Sequence, residues 1–295
     1  MLKISVPASS ANVGPGFDSA GIALSRYLTL TVERAEEWEF IHSNSVVPMV
    51  DHYRNHYIYK IASQVAEWHE SDLPACQVTM HSEIPLARGL GSSASAIVAS
   101  IELANQMCQL DLSEEDKLAL AVKIEGHPDN VAAALLGSFV ISVKIGEQTS
   151  YKKLPLLNMD LVVYIPSFEL KTEDSRKVLP DSFDMKEAAT ASGISNLMIS
   201  ALLTDDFALA GRMMEADLFH ESYRAKLIPN YDDIRSHARE LGAFGTVISG
   251  AGPTMISFVA KGKGQTIAKK MSRIYSDYEI DAVSIDEAGL VVEKL

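Results

Sequence analysis

Residues 84 to 95 read Ile84-Pro85-Leu86-Ala87-Arg88-Gly89-Leu90-Gly91-Ser92-Ser93-Ala94-Ser95, and this is where the chain could hold a phosphate. Two closely spaced glycines let a backbone turn sharply and come close to a ligand. The run that follows, with Ala96, Ile97, Val98, Ala99, Ile101, Leu103 and Ala104, is apolar almost all round and predicts a buried helix. The first N–H groups of such a helix need partners, and with the helix dipole they form an anion site. Ser92 and Ser93 can cap the helix or offer hydroxyls to phosphate or to Mg²⁺. The loop is not GxxxxGK[ST], since the Lys is missing, and it is not GxGxxG, since Ala94 stands at the third glycine. A tight turn with a serine cap would use the same residues.

Four other constellations could do chemistry. Val6-Pro7-Ala8-Ser9-Ser10-Ala11-Asn12-Val13-Gly14-Pro15-Gly16-Phe17-Asp18 reads as a polar loop after a first strand. Asn12 offers donor and acceptor groups there, and Asp18 offers a carboxylate that could meet an ammonium; an Asx-type turn would serve equally. Glu125-Gly126-His127-Pro128-Asp129-Asn130-Val131 packs two acids, an imidazole and an amide between two helices, which is either a reactive cluster or a capped corner. Arg176 and Arg224 are suited to bidentate capture of a carboxylate, though a lone arginine is more often a surface charge. Ile248-Ser249-Gly250-Ala251-Gly252-Pro253-Thr254 is a glycine turn between strands that allows close backbone approach.

The elements that must position these groups are mixed. Strand signals fall at 2–6, 28–34, 77–81, 138–144, 161–165, 246–249, 254–260 and 289–293. Helical periods fall at 57–69, 93–109, 114–125, 130–136, 192–203, 206–218, 231–241 and 265–275. Ser113 followed by Asp116 resembles a capping box, and Gly126 and Gly242 stand where helices should stop. Strands and helices do not alternate strictly, so the expected class is α+β rather than a doubly wound sheet. Pro155 and its polar surroundings suggest two domains, 1–157 and 158–295. The charge is 26 − 39 = −13, which repels nucleic acid and leaves a nucleotide site dependent on backbone N–H groups, a few cations and Mg²⁺. Cys76 and Cys108 form no CxxC or Cys/His group, which argues against zinc and for ordinary thiols. The first residues lack an apolar secretory core, and no run nears the ~18 apolar residues of a membrane span. A cytoplasmic protein without membrane partners is the expectation.

Pro85-x-x-x-Gly89-Leu90-Gly91-Ser92-Ser93-Ala94 resembles the phosphate-binding motif of the GHMP kinases. The opening from Val6 to Asp18 resembles that of the homoserine kinase branch, the His127-x-Asp129-Asn130 core matches the family as well, and the Ile248–Thr254 turn resembles the C-terminal GHMP motif, in order along residues 6–254 of the chain. Galactokinases and mevalonate kinases open with Gly-Glu-His patterns that are absent here. The resemblance implies the two-domain GHMP kinase fold, with an N-terminal domain like ribosomal protein S5 domain 2 and a ferredoxin-like C-terminal domain. It implies ATP bound by Pro85 to Ser95 and Mg²⁺ held by Ser93 and Glu125. It implies L-homoserine bound by Asn12, Asp18, His127, Thr172, Arg176, Arg224 and Gly250, and a homodimer. Asn130, Asp129 and Arg176 would be the catalytic residues, with an amide, Asn130, facing the hydroxyl in place of a base. Another GHMP small-molecule kinase, of mevalonate or sugar type, is the alternative enzyme. A non-catalytic binder is the alternative outside enzymes.

Overall fold

The computed structural model describes residues 1–155 and 157–295; Leu156, in the stretch expected to hold the domain boundary, lies outside them. The first sheet has seven strands. Six come early: β1 (Leu2–Ala11), β2 (Ala20–Arg34), β3 (Glu39–His42), β4 (Cys76–Ser82), β5 (Phe139–Ile145) and β6 (Gln148–Lys153). β1 and β2 pair antiparallel along most of their length, and the register shifts between Pro7 and Ala8. Pro7 has no N–H to give the ladder, and bulges are where a strand tolerates proline. The strand expected to end at Val6 therefore runs on to Ala11 and takes Ser9 and Ser10 out of the expected loop. β2 divides its partners: its start pairs with β5 and its end with β4.

A second, four-stranded sheet is made of β7 (Met159–Pro166), β8 (Ala243–Ile248), β9 (Met255–Ala260) and β10 (Tyr278–Val283) in the order β10-β7-β9-β8, all antiparallel. That order, with helical crossovers between its first two and last two strands, is the ferredoxin-like split βαβ expected. The chain then returns to the first sheet, where β11 (Val291–Lys294) pairs with β1. Residues 158–295 thus contribute to both sheets.

Helices α1 (Tyr57–Trp68), α2 (Ser92–Cys108), α3 (Glu114–Glu125) and α4 (Asp129–Leu136) belong to the first sheet. α2 is buried on nearly every side, as its composition requires, and packs on α1, α3, α4 and β1. The expected capping box at Ser113 and Asp116 is formed, and Gly126 ends α3 with φ +94°. Five short or medium helices lie between β7 and β8: α5 (Thr172–Arg176), α6 (Met185–Leu203), α7 (Phe207–Met214), α8 (Glu221–Arg224) and α9 (Tyr231–Glu240). α10 (Gly264–Ile274) joins β9 to β10. Val162 and Tyr164 of β7 face a core with α9 and α10, while Leu161, Val163 and Ile165 join the core of the first sheet and α6–α7. A strand covered on both faces reads as one apolar run rather than an alternation, which is how Leu161–Ile165 appears in sequence. Among the described residues no helix is long and apolar enough to cross a membrane. Both cysteines are free, and burial pushes the Cys76 thiol up to about 11.

Candidate active site

The glycine–serine loop enters α2 with Gly91 as N-cap at φ +69°, and no side chain caps the helix. The first N–H groups of α2 therefore face outward without a serine cap, the arrangement that receives an anion. The two loop glycines are demanded by neighbours as well as by backbone angle. A Cβ on Gly91 would stand 2.1 Å from Ser9 Oγ, and one on Gly89, at φ +77°, would stand 2.3 Å from the Ser249 carbonyl oxygen. Ser9 N–H donates to Leu90 O (3.1 Å), Gly250 N–H to Ala11 O (3.0 Å) and Thr254 N–H to Arg88 O (3.2 Å). Ser249 Oγ donates to Gly89 O (2.6 Å). Three segments far apart in sequence are thus tied backbone to backbone around one loop.

They enclose a cavity of about 470 Å³, a size suited to a small-molecule site. From the loop it is lined by Ala87, Gly89, Gly91, Ser92 and Ser93. Six loop residues expected at the nucleotide do not line it: Pro85, Leu86, Arg88, Leu90, Ala94 and Ser95. Leu90, Ala94 and Ser95 are buried, and Ser95 Oγ donates to Pro7 O (2.8 Å). Arg88 turns away: its guanidinium donates to Pro166 O, Leu86 O and Ser167 O and pairs with Glu169, fastening the loop to the end of β7. A larger depression of about 620 Å³ runs along α10. It is open and none of the motifs reaches it.

Glu125, the last residue of α3, accepts a hydrogen bond from Ser93 Oγ at 2.8 Å, and Tyr57 OH lies 3.3 Å from the same hydroxyl. A serine hydroxyl and a carboxylate beside a phosphate loop are hard oxygen donors. They fit Mg²⁺, which takes one or two carboxylates and leaves the other positions to phosphate and water. His127, Asp129 and Asn130 line the next stretch of wall. Asp129 is buried, and its Oδ1 accepts the Asn130 N–H at 2.7 Å. Burial pushes its carboxyl up to about 6; the Asn130 N–H opposes this and the Asp18 charge adds to it. Asn130 Oδ1 accepts from Ser9 Oγ at 2.9 Å.

The opposite wall carries the charges. Asp18 and Arg176 were expected to meet opposite ends of a substrate, and here they meet each other, at 2.7 Å and 3.3 Å in a bidentate pair. Arg176 Nε is buried without a hydrogen-bond partner among the described residues. Asn12, expected to touch substrate, has both ends of its amide engaged. Nδ2 donates to Gly250 O (2.9 Å) and Oδ1 accepts the Asp18 N–H (3.0 Å). Asn12, Val13 and Asp18 all hold φ near +50 to +70°, a region costly for a β-branched residue such as Val13 and concentrated at functional loops.

Arg224 is almost wholly buried. Nε donates to Ser175 O, and Nη1 donates to Gly250 O (3.0 Å) and to His220 Nδ1 (3.2 Å). His220 in turn donates from Nε2 to Gly14 O at 2.9 Å, so its neutral tautomer is fixed. Burial holds its pKa down to about 4, with Arg224 also lowering it and Asp217 opposing. Burial first, then Arg176, lowers Arg224 to about 10, so it stays charged at neutral pH. Thr172 and Gly250 also line the cavity.

Several residues of this wall were not picked out from sequence. Phe17 lies under both guanidiniums, 5.7 Å from Arg176 and 5.4 Å from Arg224, and stacks on His220. Lys171 and Glu173 line the cavity beside Thr172. Glu221 is fully buried behind Arg224, accepting the Ile248 N–H and the Tyr231 hydroxyl proton. Phe17 sits inside the Val6–Asp18 motif and Glu221 three residues before Arg224. Aromatic or acidic type alone gave no reason to separate them from core or surface residues.

The GHMP kinases N terminal domain family matches residues 56–138 and the GHMP kinases C terminal family matches residues 198–277; the scaffold and the loop at its centre are those of a GHMP kinase. A homoserine kinase of Oceanobacillus iheyensis is 51% identical, over 99% of this chain and 98% of that protein. One of Bacillus velezensis is 45% identical, over 100% of this chain and 95% of that protein. The crystal structure of homoserine kinase from Cytophaga hutchinsonii superposes with a TM-score of 0.84 at 28% identity, covering 99% of this chain and 97% of that one. The chain belongs to the homoserine kinase family.

Proposed function

We propose that the chain transfers the γ-phosphoryl group of ATP to the side-chain hydroxyl of L-homoserine, giving ADP and O-phospho-L-homoserine. The observation that carries the reading is one cavity with an uncapped helix N-terminus on one wall and an acid with two arginines on the other. A phosphate chain suits the first wall, and an amino-acid zwitterion suits the second.

The N–H groups from Gly89 to Ser93 bind the ATP phosphates. Ser93 and Glu125 would hold Mg²⁺, which supplies charge neutralisation to the transferring phosphoryl group. Asp18 takes the homoserine ammonium, and Arg176 with Arg224 takes its carboxylate, so the Asp18–Arg176 pair opens to admit the substrate between its members. Asn12 and Gly250 fix the strand ends that carry these groups. His127 and Thr172 shape the wall near the hydroxyl. Transfer of this kind rests on positioning and electrostatics more than on covalent help from the protein. Asn130 faces the hydroxyl, and an amide accepts no proton, so the proton leaves to a phosphate oxygen as the new O–P bond forms. O-phosphohomoserine serves threonine biosynthesis. The cytoplasm as compartment and a homodimer as assembly complete the reading.

Initial ADP release with ATP and Mg²⁺ tests it, comparing L-homoserine with L-threonine, mevalonate and galactose. Stimulation by L-homoserine alone is expected; stimulation by another of these overturns the roles of Asp18, Arg176 and Arg224.

One observation favours a second reading of the proton's path: Asp129, on the same wall, has a carboxyl raised to about 6, close to the range of a working base. Asp129→Asn separates the two. Transfer without a base predicts a modest change in kcat, whereas a loss of ~10²-fold or more in a folded variant makes Asp129 the base.

A further inference from the structure

Ser9 belongs to no motif role assigned above, yet it touches both halves of the reaction. It lies in β1 at zero exposure. Its N–H holds the phosphate loop through Leu90 O, and its hydroxyl donates to Asn130 Oδ1 at 2.9 Å. The hydroxyl makes no other hydrogen bond among the described residues. That fixes which way the Asn130 amide faces. Turning the amide over would place its NH₂ against Ser9 and leave the buried Ser9 proton dependent on a nitrogen that cannot accept it. A buried donor without an acceptor is costly, and native structures rarely keep one. With Oδ1 taken by Ser9, Nδ2 makes no hydrogen bond within the described protein, and Asn130 lines the cavity.

From this geometry we infer that Ser9 is a positioning residue for the transfer: it locks the Asn130 amide so that an N–H donor, and not the carbonyl oxygen, is presented to the oxygens of the reacting groups. The inference rests on the homoserine kinase reading and deepens it. A donor at this point can hold a lone pair of the acceptor hydroxyl or a γ-phosphoryl oxygen in line. It cannot compete for the proton. Because the same serine fixes Leu90 through its backbone, the amide is registered to the phosphate loop.

Two measurements on the full chain test this. The first is a kinetic cycle of Ser9→Ala, Asn130→Ala and the double variant, read as ADP release with L-homoserine and with ATP titrated separately for binding. Ser9→Ala should lower kcat about 10-fold, the scale of one lost hydrogen bond. Both KM values should stay within about 2-fold, and the double variant should be no slower than Asn130→Ala by more than about 2-fold. Effects that multiply in full, or a Ser9→Ala enzyme with native kcat, overturn the inference. If Ser9→Ala fails to fold, Ser9→Cys keeps the volume with only a weak donor, and the same cycle is run with it. The second measurement is a neutron crystal structure of the ligand-free protein, which needs no substrate. It should place a deuteron on Ser9 Oγ aimed at Oδ1 and two deuterons on Nδ2 at the cavity. The reversed amide overturns the inference. If native protein releases no ADP with L-homoserine, the functional reading fails, and the neutron map still decides the amide.

Discussion

The two walls of the cavity are built from different materials. The wall proposed for the nucleotide is backbone: glycines at positive φ, an uncapped helix start, and N–H groups that a highly acidic chain can offer without any net positive charge. The wall proposed for the acceptor is side chain: Asp18, Arg176 and Arg224, with Phe17 beneath the arginines and His220 and Glu221 behind them. The first comes from one run of a dozen consecutive residues, five of which line the cavity. The second draws on three separate stretches brought together by two sheets. Backbone recognition tolerates changes of side chain but not of shape, whereas the acceptor wall tolerates small shifts of shape but not loss of charge.

The largest expected effect is therefore on the acceptor wall. Arg224→Ala removes a buried cation whose nitrogens serve Ser175 O, Gly250 O and His220 Nδ1. Loss of one partner of a buried charge-assisted contact costs several kcal/mol, so kcat/KM for L-homoserine should fall by roughly 10³-fold. ATP binding, measured by titration, should remain within about 2-fold of native. An equal loss of ATP affinity would break the division between the walls. Arg224→Lys should recover little, since an ammonium cannot reproduce the planar fork.

A smaller effect of the opposite kind is expected from Gly91→Ala. One methyl group must fit 2.1 Å from Ser9 Oγ, in a backbone region that side chains avoid. The loop has to move, and a displacement near 1 Å in a positioning element costs on the order of 10²-fold. ATP affinity should carry most of that loss. If homoserine KM moves instead, the loop is part of the acceptor wall and the comparison is redrawn.

The same division explains what was legible in the sequence. The loop could be read because its signal is local: glycine spacing, serines and an apolar helix are contiguous in the chain. β7 could be read because burial on both faces leaves one unbroken apolar run. The first strand reads short in the sequence because Pro7 suggests an end, while the bulge that accommodates it depends on pairing with β2. The helical period of α6 becomes legible only from Ser192 because its first two turns are largely solvent-exposed and carry no apolar period, although Asp184 and Glu187 form a capping box that marks its start. The Asp18–Arg176 pair spans 158 positions. Taken alone, Asp18 reads equally as part of an Asx-type turn and Arg176 as a surface charge, until the fold brings them together. Phe17 and Glu221 were missed for the same reason.

The smallest effect, and the finest test of the acceptor wall, concerns Glu221. Burial pushes its carboxyl up to about 7 from 4.5, against the pull of the Tyr231 hydroxyl and the Ile248 N–H. An acid whose pKa is higher folded than unfolded favours the fold most when neutral in both states. Its contribution is complete below pH 4.5 and is lost as the pH rises to 7 and beyond. Glu221→Gln stays neutral throughout and should remove that loss. The difference in Tm between native and variant should therefore move in the variant's favour from pH 5 to pH 8, by a few degrees. Other buried groups contribute to both curves and cancel in the difference. Asp129 acts with the same sign, whereas His220 and His56, each lowered to about 4, lose their contribution as pH falls below 6.5. A difference that does not change with pH would mean that Glu221 keeps one protonation state across that range. The charge behind Arg224 would then be constant, and the acceptor wall would be as insensitive to pH as the backbone wall opposite.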